Sequence, residues 1–142
     1  MVRVGIIGAT GMVGQRFVLL LQNHPWFQIT CVAASKRSAG KPYSEAVEGR
    51  WAFKATPIPK AVAEMPVMDA ADIQAIKEQV DFVFCAIALS KAETRELEDA
   101  YAKAEIPVIS NNSACRGMDD VPMLIPEING SHAQAIEAQR KR

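Results

Sequence analysis

Three glycines, Gly8, Gly11 and Gly14, are spaced three apart. They stand between an apolar run, residues 2–7, and a segment with apolar residues at Met12, Val13, Phe17, Leu20 and Leu21. In that order, strand, glycine turn and helix, the glycines suit the binding of a dinucleotide. Gly8 permits a tight turn off the strand. Gly11 carries no Cβ, so a pyrophosphate can approach the backbone. Gly14 lets the first helical turn lie against the strand, and the helix N-terminus offers N–H groups and the positive end of its dipole. The spacing is G-x-x-G-x-x-G rather than the commoner G-x-G-x-x-G. The plain alternative is a strand-to-helix turn that binds nothing. The strand-before, helix-after context favours the phosphate reading.

A second group follows the next apolar run, residues 27–34. It reads Ser35-Lys36-Arg37-Ser38. An acidic residue at this place would accept hydrogen bonds from an adenosine ribose and repel a 2′-phosphate. Arg37 with the hydroxyls of Ser35 and Ser38 would hold that phosphate through charge-assisted bonds, so NADP is expected over NAD. A third polar group, residues 110–117, contains Asn111, Asn112, Cys115 and Arg116 and follows another apolar run.

The elements that would position these groups alternate. Strands are predicted at 2–7, 27–34, 66–68, 81–87 and 106–109, and helices at 12–23, 70–79 and 92–104. Pro25 ends the first helix, because the residue before a proline disfavours helical geometry. Residues 39–66 are broken by Gly40, Pro42, Gly49, Pro57, Pro59 and Pro66, with Trp51 and Phe53 available to pin the loop. Residues 121–125 read as an extended run and 126–130 as a turn. Ser131 is the expected N-cap of a last helix reaching Arg140. His24 and His132 read as a helix-end residue and an exposed residue. The alternation gives a doubly wound, mostly parallel α/β sheet, a Rossmann-like dinucleotide-binding domain over residues 1–142, with the 81–87 strand beside the first.

The chain of 142 residues is 49% hydrophobic and 23% charged, with zero formal net charge. This excludes the basic surface of a nucleic-acid binder and an acidic tail. No apolar run is long enough to span a bilayer, and the start resembles no cleavable leader. The three cysteines form no C-x-x-C pair, so neither a disulfide framework nor a metal site is expected, and a reducing, cytoplasmic setting fits.

The chain resembles the N-terminal, NADP-binding part of the aspartate-semialdehyde dehydrogenase family. The resemblance is carried by residues 8–17, by His24-Pro25-Trp26-Phe27, by residues 35–41, by Val108-Ile109-Ser110-Asn111-Asn112 and by residues 121–129. It implies reversible NADPH-dependent reduction of β-aspartyl phosphate to the semialdehyde, serving lysine, threonine and methionine biosynthesis. By position it implies that Thr10, Gly11, Met12 and Val13 line the pyrophosphate. Leu89 and Ser90 would border the nicotinamide, Asn111 would join the same crevice, and Arg116 would grip the substrate phosphate. It implies a homo-oligomeric full-length protein.

The family's nucleophile sits in an Asn-Cys-Ser or Asn-Cys-Thr turn that this chain lacks. No catalytic residue is therefore expected here, and the chain reads as the cofactor part, inactive alone. Two other readings stand beside it: a related acyl-phosphate or acyl-CoA reductase, such as a malonyl-CoA or acetylglutamyl-phosphate reductase, and a stand-alone NADP-sensing module.

Overall fold

The computed structural model describes residues 1–141. The chain divides into two compact units, Met1–Asn111 and Asn112–Arg142.

The first unit carries strands β1 (Val2–Ile7), β2 (Phe27–Ala34), β3 (Met68–Asp69), β4 (Phe82–Cys85) and β5 (Val108–Ser110). They form one five-stranded sheet in the order β3-β2-β1-β4-β5, and every pairing is parallel. The helices are α1 (Met12–Leu20), α2 (Tyr43–Ala46), α3 (Lys60–Ala63), α4 (Ile73–Gln79) and α5 (Lys91–Lys103). The strand order reverses direction between β1 and β4, the place where doubly wound sheets hold ligands.

Alternation along the strands explains the two layers. Val4, Ile6, Val32 and Ala34 meet Val18 and Leu21 of α1, Tyr43 and Ala46 of α2 and Val62 of α3. Ile7, Cys31, Ala33, Val83 and Cys85 meet Ile76 of α4 and Tyr101 of α5. A sheet covered on both faces needs apolar residues at successive positions, and Val4, Ile6, Ile7 and Val32 are all fully buried. Each such side chain contributes about 1.5–3 kcal/mol. The register between β1 and β2 slips by one residue after Val4, leaving Thr30 unpaired with β1. Its hydroxyl donates to the Gln79 carbonyl at 2.7 Å.

Strands β1 and β2 begin and end where the sequence predicts. Helix α1 stops at Leu20 rather than at residue 23. Asn23 adopts φ 57°, a left-handed conformation that asparagine tolerates and a helix does not continue through. The His24 Nδ1 then accepts the backbone N–H groups of Trp26 and Phe27, each at 3.2 Å. Helix α4 starts at Ile73 rather than at residue 70, because the Asp72 side chain caps it by accepting from the Ala75 N–H. Residues 39–66, unreadable in sequence, hold the two single-turn helices α2 and α3, and the Trp51 and Phe53 rings meet edge to face at 5.8 Å.

The second unit has helices α6 (Pro126–Asn129) and α7 (Ala135–Gln139), joined by a 3-10 turn at Gly130–Gln134. The predicted turn at 126–130 is thus a short helix opened by its proline. Ser131 lies within the 3-10 turn and caps nothing. Val121 closes a turn, its N–H donating to the Met118 carbonyl at 3.1 Å, and among the described residues 122–125 belong to no strand. The Asn129 Oδ1 accepts the Ile125 N–H at 2.7 Å, and its Nδ2 donates to the Met123 carbonyl at 2.8 Å. The His132 Nδ1 lies 3.2 Å from the Met123 nitrogen. Among the described residues, no helix is long and apolar enough to cross a membrane.

Candidate functional site

The glycine turn leaves β1 with its backbone committed. Gly8 and Ala9 both donate to the Ala33 carbonyl, at 2.8 and 3.0 Å, and Gly11 donates back to Gly8 at 3.1 Å. Gly8 has φ +86°, and a Cβ there would lie 2.6 Å from the Ala86 carbonyl oxygen. A Cβ on Gly14 would run into the Gly8 carbonyl and lie 2.7 Å from the Ala9 Cα. Both positions are closed to other residues by the packing of β1, β4 and α1.

Gly11 differs. Its φ is −77°, and a Cβ would meet only the Gly8 oxygen, at an ordinary 3.5 Å. It is exposed, as are Met12 and Val13. It is also the N-cap of α1, with no side-chain cap and no acidic residue in the first turn. The fold has no steric need for glycine at this one position, and the N-terminus beneath it is electropositive through the helix dipole.

The turn is braced from below by residues that sequence reading did not single out for it. Gln15 is 1% exposed. Its Nε2 donates to the Thr10 carbonyl at 2.9 Å and to the Arg50 carbonyl at 3.2 Å, and its Oε1 accepts the Ala52 N–H at 2.8 Å. The buried Tyr43 hydroxyl donates to the Ala9 carbonyl at 2.8 Å. Burial pushes that phenol well above its ordinary pKa, so it stays a donor. The signal for Gln15 was present: it shares a helix face with Val18, three residues on, and a polar side chain on a core face needs partners.

The second loop closes as a turn, with Ser38 N–H donating to Ser35 at 2.9 Å and Gly40 N–H to Val67 at 2.8 Å. Ser35, Lys36 and Arg37 are exposed. Among the described residues, neither Lys36 nor Arg37 enters a salt bridge. Ser38 is 4% exposed, and its hydroxyl accepts from the Arg50 Nη2 at 3.2 Å.

Ser35 and Leu89 line one apolar cleft of about 130 Å³, with Asp69, Ala70, Ala71, Ile87 and Leu97. It opens at the carboxyl ends of β2, β3 and β4. Ser90 is the N-cap of α5: its hydroxyl and N–H both bond the Glu93 carboxylate, which accepts them at 2.6 and 3.0 Å, and the hydroxyl accepts the Glu93 N–H. Those bonds hold the Glu93 carboxyl below its ordinary pKa. Asn111 follows β5, its N–H donating to the Cys85 carbonyl at 3.2 Å. Ser110 bonds the buried Glu98 of α5. Arg116 lies in the second unit, where its N–H donates to the Ser113 carbonyl at 3.4 Å.

Cys31 and Cys85 are buried in strands, and burial pushes the Cys31 thiol up to about 12. A thiol so placed is inert as a nucleophile. Among the described residues, no group of three or more His, Cys, Asp or Glu side chains could hold a metal ion.

Residues 3–136 match the family model described as semialdehyde dehydrogenase, NAD binding domain. The chain is 44% identical to aspartate-semialdehyde dehydrogenase of Archaeoglobus fulgidus over 97% of its own length and 38% of that protein's. It is also 44% identical to the Methanothermobacter thermautotrophicus enzyme of the same name, over 100% of this chain and 39% of that one. The crystal structure of the Candida albicans aspartate-semialdehyde dehydrogenase with NADP superposes with a TM-score of 0.84 at 33% identity, covering 99% of this chain and 38% of that one. The chain thus spans about two-fifths of the length of the relatives it matches.

Proposed function

Since the chain belongs to the semialdehyde dehydrogenase family through its NAD-binding domain, we propose that it is the cofactor-binding part of an NADP-dependent aspartate-semialdehyde dehydrogenase. The observation that carries this reading is Gly11: an exposed glycine at the uncapped start of α1, where a Cβ would meet no obstacle in the fold. What glycine leaves open there is the approach of a ligand to the backbone.

In this reading Gly8, Thr10, Gly11, Met12, Val13 and Gly14 form the pyrophosphate cradle. Ser35, Arg37 and Ser38 form the 2′-phosphate loop, with Arg37 supplying a guanidinium that pairs with phosphate oxygens. The apolar cleft that Ser35 and Leu89 line suits a flat ring of the nucleotide, with Leu89 assigned to the nicotinamide side. Ser90 and Asn111 belong to the nicotinamide side; the Ser90 hydroxyl is tied to Glu93, so it acts there by fixing the start of α5. The C. albicans enzyme solved with NADP supports the choice of nucleotide.

Bound NADPH would supply the hydride that reduces an acyl phosphate, β-aspartyl phosphate, to the semialdehyde in lysine, threonine and methionine biosynthesis. Arg116 is assigned to the substrate phosphate. None of the three cysteines is assigned the attack on the acyl carbon, so the chain alone binds nucleotide without turnover.

Thermal unfolding of the chain with NADP or NAD, with Arg37→Ala alongside, tests the reading. A ligand bound only by the folded state at about a hundred times its Kd adds ~2.7 kcal/mol. NADP should raise the midpoint, NAD should raise it less, and Arg37→Ala should erase the difference. A midpoint unmoved by either nucleotide contradicts the reading.

A further inference from the structure

The two phosphate-facing segments are joined underneath by a continuous set of hydrogen bonds. It runs from the Thr10 carbonyl to Gln15, from Gln15 to the Arg50 carbonyl, and from the Arg50 guanidinium to the Ser38 hydroxyl. Arg50 is held by a second acceptor on the same edge. Its Nε and Nη2 both donate to the Ala46 carbonyl, at 2.9 and 2.6 Å. Ser38 in turn closes the turn that presents the exposed Ser35 and Arg37. Arg50 is exposed, but its Nε and Nη2 N–H groups are committed to the Ala46 carbonyl and the buried Ser38 hydroxyl, so that edge of the guanidinium faces the loop. Its planar fork holds these two acceptors in a fixed relation, so Ser38 is tied to the Ala46 carbonyl through one rigid group.

We propose that Arg50 is a positioning residue for nucleotide choice: by holding Ser38 it sets the Ser35–Arg37 turn that receives the 2′-phosphate, without itself touching the nucleotide. This rests on the NADP reading above and deepens it. Arg50 lies within a stretch broken by glycine and proline, 12 residues beyond Ser38, and is tied to it by a bond of chain-distant partners.

The test measures NADP and NAD affinities by titration calorimetry on the full 142-residue chain, for wild type, Arg50→Met, Ser38→Ala and the double variant. Arg50→Met should weaken NADP by about tenfold or more and leave NAD within about twofold. The double variant should be no weaker for NADP than Ser38→Ala alone, because both substitutions break one linkage. Amide exchange at Ser38 should also quicken in ligand-free Arg50→Met.

Equal weakening toward both nucleotides makes Arg50 merely structural and overturns the inference. Additive losses put its charge on the ligand and overturn it too. Preference for NADP that survives in Arg50→Met overturns the inference while the cofactor reading stands. A wild type with no preference for NADP overturns both. If Arg50→Met does not fold, preference retained in Ser38→Ala is the contradicting result.

Discussion

In the unit Met1–Asn111, Val4, Ile6, Ile7, Val18, Val32 and Ile76 have no exposed surface at all. In 112–141 every described residue keeps part of its surface exposed, and Met123, Ile125 and Ile128 are each more than half exposed. The first unit is ordered by burial on two faces of a sheet. The second is ordered by local hydrogen bonds, chiefly those of Asn129 and His132 to the 123–125 backbone. Burial is cooperative, so damage at one point of the first unit spreads through it. Local bonds fail one at a time. The nucleotide-facing groups assigned above, from Gly8 to Asn111, all lie in the cooperative unit, and Arg116 alone lies in the other.

Gly14→Ala should produce the largest effect. Its Cβ would collide with backbone at Gly8 and Ala9, which cannot swing aside as a side chain can. A loss of about 3 kcal/mol or more is expected in chemical denaturation. A loss below about 1 kcal/mol would mean that the first unit yields locally, and the contrast between the units would fail.

Asn129→Ala should sharpen the contrast from the other side. It removes two bonds at a partly exposed site, about 0.5–1.5 kcal/mol each at most. Hydrogen exchange at the Ile125 amide should accelerate while the main unfolding transition stays in place. A shift of that transition comparable to Gly14→Ala would show that the two units unfold together.

The smallest effect concerns acid. Asp81 pairs with Arg3 at 2.8 Å where β4 begins beside β1, and both side chains are nearly half exposed. Hydrogen bonds from Arg3 hold the Asp81 carboxyl below its ordinary pKa. A depressed folded value gives stability that is present above the unfolded pKa, about 3.9, and lost as pH falls through the folded one. Asp81→Asn should therefore lower the thermal midpoint slightly at pH 7. Its gap to wild type should close as the solution is acidified through that range. A gap that widens in acid would contradict the assignment.

These contrasts also explain what could be read from sequence. The strands at 2–7 and 27–34 and the glycine turn were legible because each is written in contiguous residues: β-branched runs, then glycines at fixed offsets. The parallel neighbours of β1 followed from the alternation of strand and helix. The brace beneath the turn was not legible. Gln15, Tyr43 and Arg50 reach partners 34 to 37 residues away in the case of Tyr43–Ala9, Gln15–Arg50 and Gln15–Ala52. Such pairings leave no periodicity behind. In the second unit the apolar run at 121–125 reads as extended, but among the described residues it joins no strand, and its backbone bonds go to Met118, Asn129 and His132. Side chains there took the place of a neighbouring strand.

Gly11→Ala tests most directly whether the glycine turn is a phosphate cradle. The fold accommodates the added methyl, so the ligand-free thermal midpoint should change by no more than ~1 kcal/mol of stability. With NADP added, wild type should shift upward and Gly11→Ala should not. A variant that folds and responds to NADP as wild type does would show that nothing approaches the backbone at Gly11, and the cradle reading would be wrong.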